Sequence, residues 1–93
     1  MKTKRHRFPT DLQDYLSIYC FKLRTENEMK LQNIGKIINR DHSTVIYHLN
    51  RYKSFITFDK QFKQKEQSFN DQDFAEKLLE YGIEPYQTLI NNI

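Results

Sequence analysis

Apolar residues recur along this chain at helical spacing. Leu12, Tyr15, Leu16, Tyr19, Cys20 and Leu23 fall at offsets 0, 3, 4, 7, 8 and 11, the stripe of an amphipathic helix. Thr10 precedes the stripe and Gln13 follows three residues later, a Thr-x-x-Gln capping box. A first helix is therefore predicted over residues 11–24. A polar connection, Thr25-Glu26-Asn27-Glu28, leads to Leu31, Ile34, Ile37 and Ile38, which predict a short second helix over residues 30–38. After a polar break at Asn39-Arg40, Asp41 stands where an N-cap belongs. A third helix follows, with Val45, Leu49 and Tyr52 inward and Ile46 and Ile56 flanking. On the same wheel Ser43, Thr44, Tyr47, His48, Asn50 and Arg51 face outward.

Beyond Ser54, Phe55, Phe58, Phe62 and Phe69 predict a fourth helix over about residues 57–68, held to the rest by phenylalanines. Asn70 or Asp71 can cap a fifth helix carrying Phe74, Leu78 and Leu79, and Gly82 is placed to stop it. Pro85 suits the first turn of a last short helix ending near Asn91. Only 2 Gly and 2 Pro occur in 93 residues, which favours an all-helical chain. The expectation is an all-α compact bundle of five or six helices in one domain. It comprises a basic arm (1–9), a helical core (10–69) and a C-terminal helical extension (70–93).

Charge adds a direction. The net charge is +3, but residues 1–53 hold 11 Lys/Arg against 5 Asp/Glu, and residues 54–93 hold 4 against 7. A basic front and an acidic back suit a protein that turns one face to a polyanion. No apolar run approaches the ~18 residues that cross a bilayer, so no membrane is expected. The single Cys20 agrees with a reducing cytoplasm.

The third helix opens with groups that bond bases and phosphates. Backbone N–H groups at a helix start lack intrahelical partners, and the helix dipole favours anions there. Ser43 and Thr44 hydroxyls can bond phosphates or base edges, and the Thr44 methyl can touch a thymine methyl. His42 can offer a ring donor or an apolar edge, and Asp41 can accept from a cytosine or adenine amino group. Arg40 in the turn suits a phosphate or a guanine. Lys36, Tyr47, His48 and Arg51 complete the candidate set, Tyr47 and Arg51 sharing the face of Ser43.

The run Ile34-Gly35-Lys36-Ile37-Ile38-Asn39-Arg40-Asp41-His42-Ser43-Thr44-Val45 resembles the signature of the C-terminal DNA-binding domain of the bacterial replication initiator DnaA. The likeness spans about residues 5–69 and is specific over 34–46. It implies a Trp-repressor-like helix-turn-helix that binds double-stranded DNA, in replication initiation control or transcription regulation, on the nucleoid. It implies base reading by Asp41, His42 and Ser43 and phosphate contacts by Thr44 and Arg51. It also implies a minor-groove arginine, falling on Arg5 or Arg7. The chain departs from the family in Ser43, where threonine is commoner, and in His48, where the family carries a small residue. No Gly-rich phosphate loop occurs, so no nucleotide and no ATP-driven step is expected.

Other chemistries find little support. His6, Cys20, His42 and His48 have no metal-ligand spacing, and no serine–base–carboxylate set can be assembled, so neither metal, cofactor nor enzyme activity is expected. The alternative function is a protein–protein adaptor that docks a partner of the replication or transcription machinery through the C-terminal helices.

Overall fold

The computed structural model describes residues 10–82, which are all-α: five helices and no strand among the described residues. They are α1 (Thr10–Thr25), α2 (Leu31–Ile38), α3 (His42–Ile56), α4 (Lys60–Gln67) and α5 (Asp71–Glu80). The basic arm, with Arg5 and Arg7, and the helix expected after Pro85 lie outside the described residues.

α1 is the axis of the bundle because its sequence is buried on more than one side. Leu16, Ser17, Ile18, Tyr19 and Cys20 are consecutive and all buried, which a helix tolerates only when other helices surround it. The expected stripe faces Ile34 and Ile38 of α2, Val45 of α3, and Phe74, Ala75 and Leu78 of α5. Ile18 points the other way, into a second cluster with Tyr52 of α3 and Phe62 of α4. That cluster is built of rings: Phe21 and Tyr52 stack at 3.9 Å, and Phe62 meets Tyr52 edge-on at 5.6 Å. Phe69 packs against both clusters, its ring 6.3 Å from Tyr19 and 5.6 Å from Phe74 of the first. Burial pushes the Cys20 thiol up to about 12, which leaves it an inert core side chain.

Ion pairs follow the same axis. Asp14 of α1 accepts from Arg51 of α3 with one carboxylate oxygen and from Lys65 of α4, at 2.7 Å, with the other. Lys65 also reaches Asp11 at 2.6 Å, and Asp11 in turn pairs with Lys77 of α5 at 3.1 Å. One turn of α1 thus ties down α3, α4 and α5. The hydrogen bond from Lys65 first, then that from Lys77, holds the Asp11 carboxyl below its ordinary value, against the opposing effect of burial.

The fourth helix starts three residues later than its apolar spacing suggests. Asp59 accepts from the Phe62 amide at 3.1 Å and caps the helix there, so Thr57 and Phe58 belong to the turn. Phe58 was expected among the phenylalanines of the core; it is instead 73% exposed. In the fifth helix Asn70 caps by accepting from the Asp73 amide at 2.8 Å. Gly82, at φ 77°, follows its end.

The α2–α3 junction is set by backbone. Asn39 adopts the left-handed conformation at φ 59°, where asparagine is the usual substitute for glycine. The Arg40 amide then donates to the Gly35 carbonyl at 2.9 Å and the Asn39 amide to that of Lys36 at 3.3 Å, a Schellman closure. The turn folds back so tightly that a Cβ on Gly35 would sit 2.6 Å from the Arg40 carbonyl oxygen.

Two outcomes follow. Gly35→Ala gains about 1 kcal/mol of helix propensity, but its methyl drives into a carbonyl whose own residue is hydrogen-bonded to Gly35. Against an overpacking cost of about 3 kcal/mol, the upper end for a clash with backbone, a net loss of about 2 kcal/mol is expected, measured as a lower urea midpoint. Asp14→Ala leaves Arg51 without its carboxylate and Lys65 with Asp11 alone, and lowers stability by about 2 kcal/mol with an unchanged denaturant slope.

Candidate nucleic-acid interface

The exposed end of the α2–α3 pair gathers most of the residues singled out in the sequence. Gln32, Gly35, Lys36, Asn39, Arg40, Asp41 and His42 line one open concavity at the junction. Ser43 continues it on the first turn of α3, with Thr44 half-buried beside it. Arg40 is exposed and donates to the neighbouring Asn39 carbonyl at 2.9 Å. Asp41 occupies the N-cap position of α3, as its place in the sequence suggested, but makes no side-chain capping hydrogen bond. Its carboxylate accepts instead from the Ser43 hydroxyl at 2.7 Å, and its other oxygen lies 3.4 Å from the His42 ring nitrogen Nδ1.

This small cluster is pre-arranged. The Ser43 hydroxyl, followed by the amide and ring of His42, holds the Asp41 carboxyl below its ordinary value. The carboxylate therefore stays an acceptor, suited to amino groups rather than carbonyls. Fixing three polar side chains before a ligand arrives reduces the ordering that binding must impose. One turn on, Tyr47 is 54% exposed. Its hydroxyl reaches Gln13 of α1 at 3.5 Å, which draws the ring toward one margin of the face.

Two candidates lie elsewhere. His48, expected on the outward face, is 4% exposed and pairs through Nδ1 with the fully buried Ser17 hydroxyl of α1 at 3.2 Å. The buried stripe of α3 runs through Val45, His48 and Tyr52, rotated from the expected Val45, Leu49 and Tyr52. A serine on α1 leaves room for the imidazole and supplies its partner. Arg51, expected to reach outward, is bonded to Asp14 and lies over the Phe55 ring at 4.8 Å, its side chain 11% exposed. It joins α3 to α1 rather than facing solvent.

The outward face also includes residues without a role in the sequence reading. Ile46 is 38% exposed, where a flanking core position was expected. Asn50 and Lys53 are exposed. Their signal was present in the spacing, because Ile46 and Asn50 follow Ser43 by three and seven residues, the repeat of one helix face.

Electrostatics separates this side of the molecule from the rest. Between Met29 and Phe58 the only carboxylate is Asp41, set against the exposed Lys30, Lys36, Arg40 and Lys53, while Arg51 is neutralised by Asp14. No protein-family model, curated protein or solved structure matches the chain.

His48 makes the fold sensitive to pH. Burial first, then the nearby Arg51 and Arg40 charges, lowers its pKa to about 4 from the ordinary 6.5. The unfolded chain therefore binds a proton that the folded chain refuses between those values, and stability falls as pH drops through that window. The full shift amounts to about 3 kcal/mol. Urea midpoints taken from about pH 7 down to about pH 4.5 should decline in the wild type and stay nearly level in His48→Gln. The contribution of Asp11, whose pKa lies below 3.8, is lost only at more acid pH.

Proposed function

We propose that this chain binds double-stranded DNA sequence-specifically, α2 and α3 acting as a helix-turn-helix with α3 in the major groove. The supporting observation is the junction itself. A tight backbone turn presents Arg40, Asp41, His42 and Ser43 on an exposed helix start, in a stretch with one carboxylate and four exposed cations. The resemblance of residues 34–46 to the initiator's DNA-binding signature supports the same reading, and with it a role in replication initiation control or transcription regulation.

In this mechanism Lys36, Arg40 and Lys53 meet phosphates and supply affinity, because each contact releases condensed counterions. The Asp41–His42–Ser43 cluster supplies selectivity. The carboxylate favours the amino group of cytosine or adenine and repels acceptor edges, and His42 beside it meets the neighbouring base. The Ser43 hydroxyl, held by Asp41, keeps lone pairs free for a second donor. Arg51 acts through the fold, by fixing α3 against α1.

A protein adaptor is the second reading, favoured by Leu79 and Tyr81, which are 60% and 43% exposed at the end of α5. Mobility shifts separate the two. For 6–10 phosphate contacts, affinity for duplex should fall about 10³–10⁵-fold between about 50 and 200 mM salt. His42→Ala should lose discrimination between a selected site and a scrambled one. Lys36→Ala should weaken both alike and lower the salt slope by about 1. A wild-type protein that shifts no duplex at either salt would leave the adaptor.

A further inference from the structure

We infer that α3 reads a second block of base pairs, beyond those met by its first turn, and that this block is A·T: Asn50 recognises an adenine and Ile46 a thymine methyl. The inference rests on the DNA-binding reading above and extends it along the helix. At 3.6 residues per turn, Ser43, Ile46, Tyr47 and Asn50 share about 100° of arc. All four are exposed. Ser43 to Asn50 is two turns, a rise of about 10 Å, which matches about three stacked base pairs.

The chemistry of this outer stretch differs from that of the first turn. Ile46 holds an aliphatic side chain that is 38% exposed, on the same face as the exposed Ser43 and Asn50. Asn50, one turn further, has no side-chain partner among the described residues. Tyr47 is drawn aside by its hydrogen bond to Gln13, so Asn50 and Ile46, about 40° apart on the helix, form the exposed strip beyond Ser43.

Duplex DNA is the occupant that charge selects. α3 contains no carboxylate, and Lys53 borders the outer stretch as Arg40 and Lys36 border the inner one. An amide side chain presents a donor and an acceptor in one plane, the complement of adenine N7 and its amino group. Guanine offers two acceptors on the same edge and would satisfy only the donor. Thymine alone among the bases carries a methyl in the major groove, the natural contact for Ile46.

The test is a selection from duplexes carrying a randomised block, run with wild type, His42→Ala, Asn50→Ala and Ile46→Ser, followed by titration of single-position variants of the winning site. Wild type should enrich an A·T block about three base pairs to one side of the position that His42→Ala erases. Asn50→Ala should lose about 5- to 100-fold in preference at one pair of that block and leave the others intact. Ile46→Ser should lose its thymine preference at an adjacent pair. Both side chains are exposed, so both variants should melt with wild type by circular dichroism. A wild-type site with G·C in the outer block overturns the inference, as does an Asn50→Ala variant with unchanged preference; in either case His42→Ala still shows its own loss and the DNA reading stands. A wild type that enriches no duplex overturns that reading, and this inference with it.

Discussion

The burial of the central turn of α1, Leu16 to Cys20, is the constraint from which the rest of the bundle follows. A helix with five consecutive buried residues cannot sit at a surface, so α2, α3, α4 and α5 must each take a part of its circumference. The apolar stripe from Leu12 to Leu23 engages α2, α3 and α5, and Ile18 engages α3 and α4. Two polar positions on α1 then decide how its neighbours lie. Ser17 leaves a gap that His48 fills, and Asp14 holds Arg51 and Lys65 at once. Both act on α3, so the rotation of that helix about its own axis is set from α1.

That rotation decides what α3 shows to solvent. With Val45, His48 and Tyr52 turned inward, the opposite face carries Ser43, Ile46, Tyr47 and Asn50. The second control is the α2–α3 turn, where Gly35 permits a backbone approach closed to any other residue. The left-handed Asn39 ends α2 and sends the chain directly into Asp41. The polar start of α3 is therefore held at both ends, by the turn before it and by the α1 contacts after it. A site so fixed can present donors and acceptors with little ordering left to the binding step.

Charge is distributed by the same contacts. Arg51, Lys65 and Lys77 are drawn into pairs with two aspartates of α1, and so stabilise the fold rather than project a field. Lys36, Arg40 and Lys53 stay on the surface around the α2–α3 junction. The sequence asymmetry between a basic front and an acidic back thus resolves into two kinds of cation. Counting basic residues alone does not tell them apart, because the partners of Arg51 and Lys65 are 37 and 51 residues away in sequence.

By itself the sequence determined the features that are local. Periodicity placed α1, α2 and α3, and the Asn70 cap placed α5, close to their observed bounds, because a helix is written in neighbours three and four residues apart. The Thr10 cap expected for α1 is instead the first residue of that helix. Asn39, Asp41 and Gly82 marked ends for the same reason, as turn and cap conformations depend on a few adjacent residues. The exposed cluster Arg40–Ser43 was legible because it lies on a helix start, where geometry is also local. The tertiary structure alone decided the angle at which α3 meets α1. A wheel locates an apolar stripe only to within about one residue, or 100°, and one such step separates an outward His48 and Arg51 from buried or paired ones. Ser17 and Asp14, distant in the chain, supply the space and the charge that settle that angle. Phe58 went the other way for a local reason: Asp59 capped α4 late and left that ring in the turn.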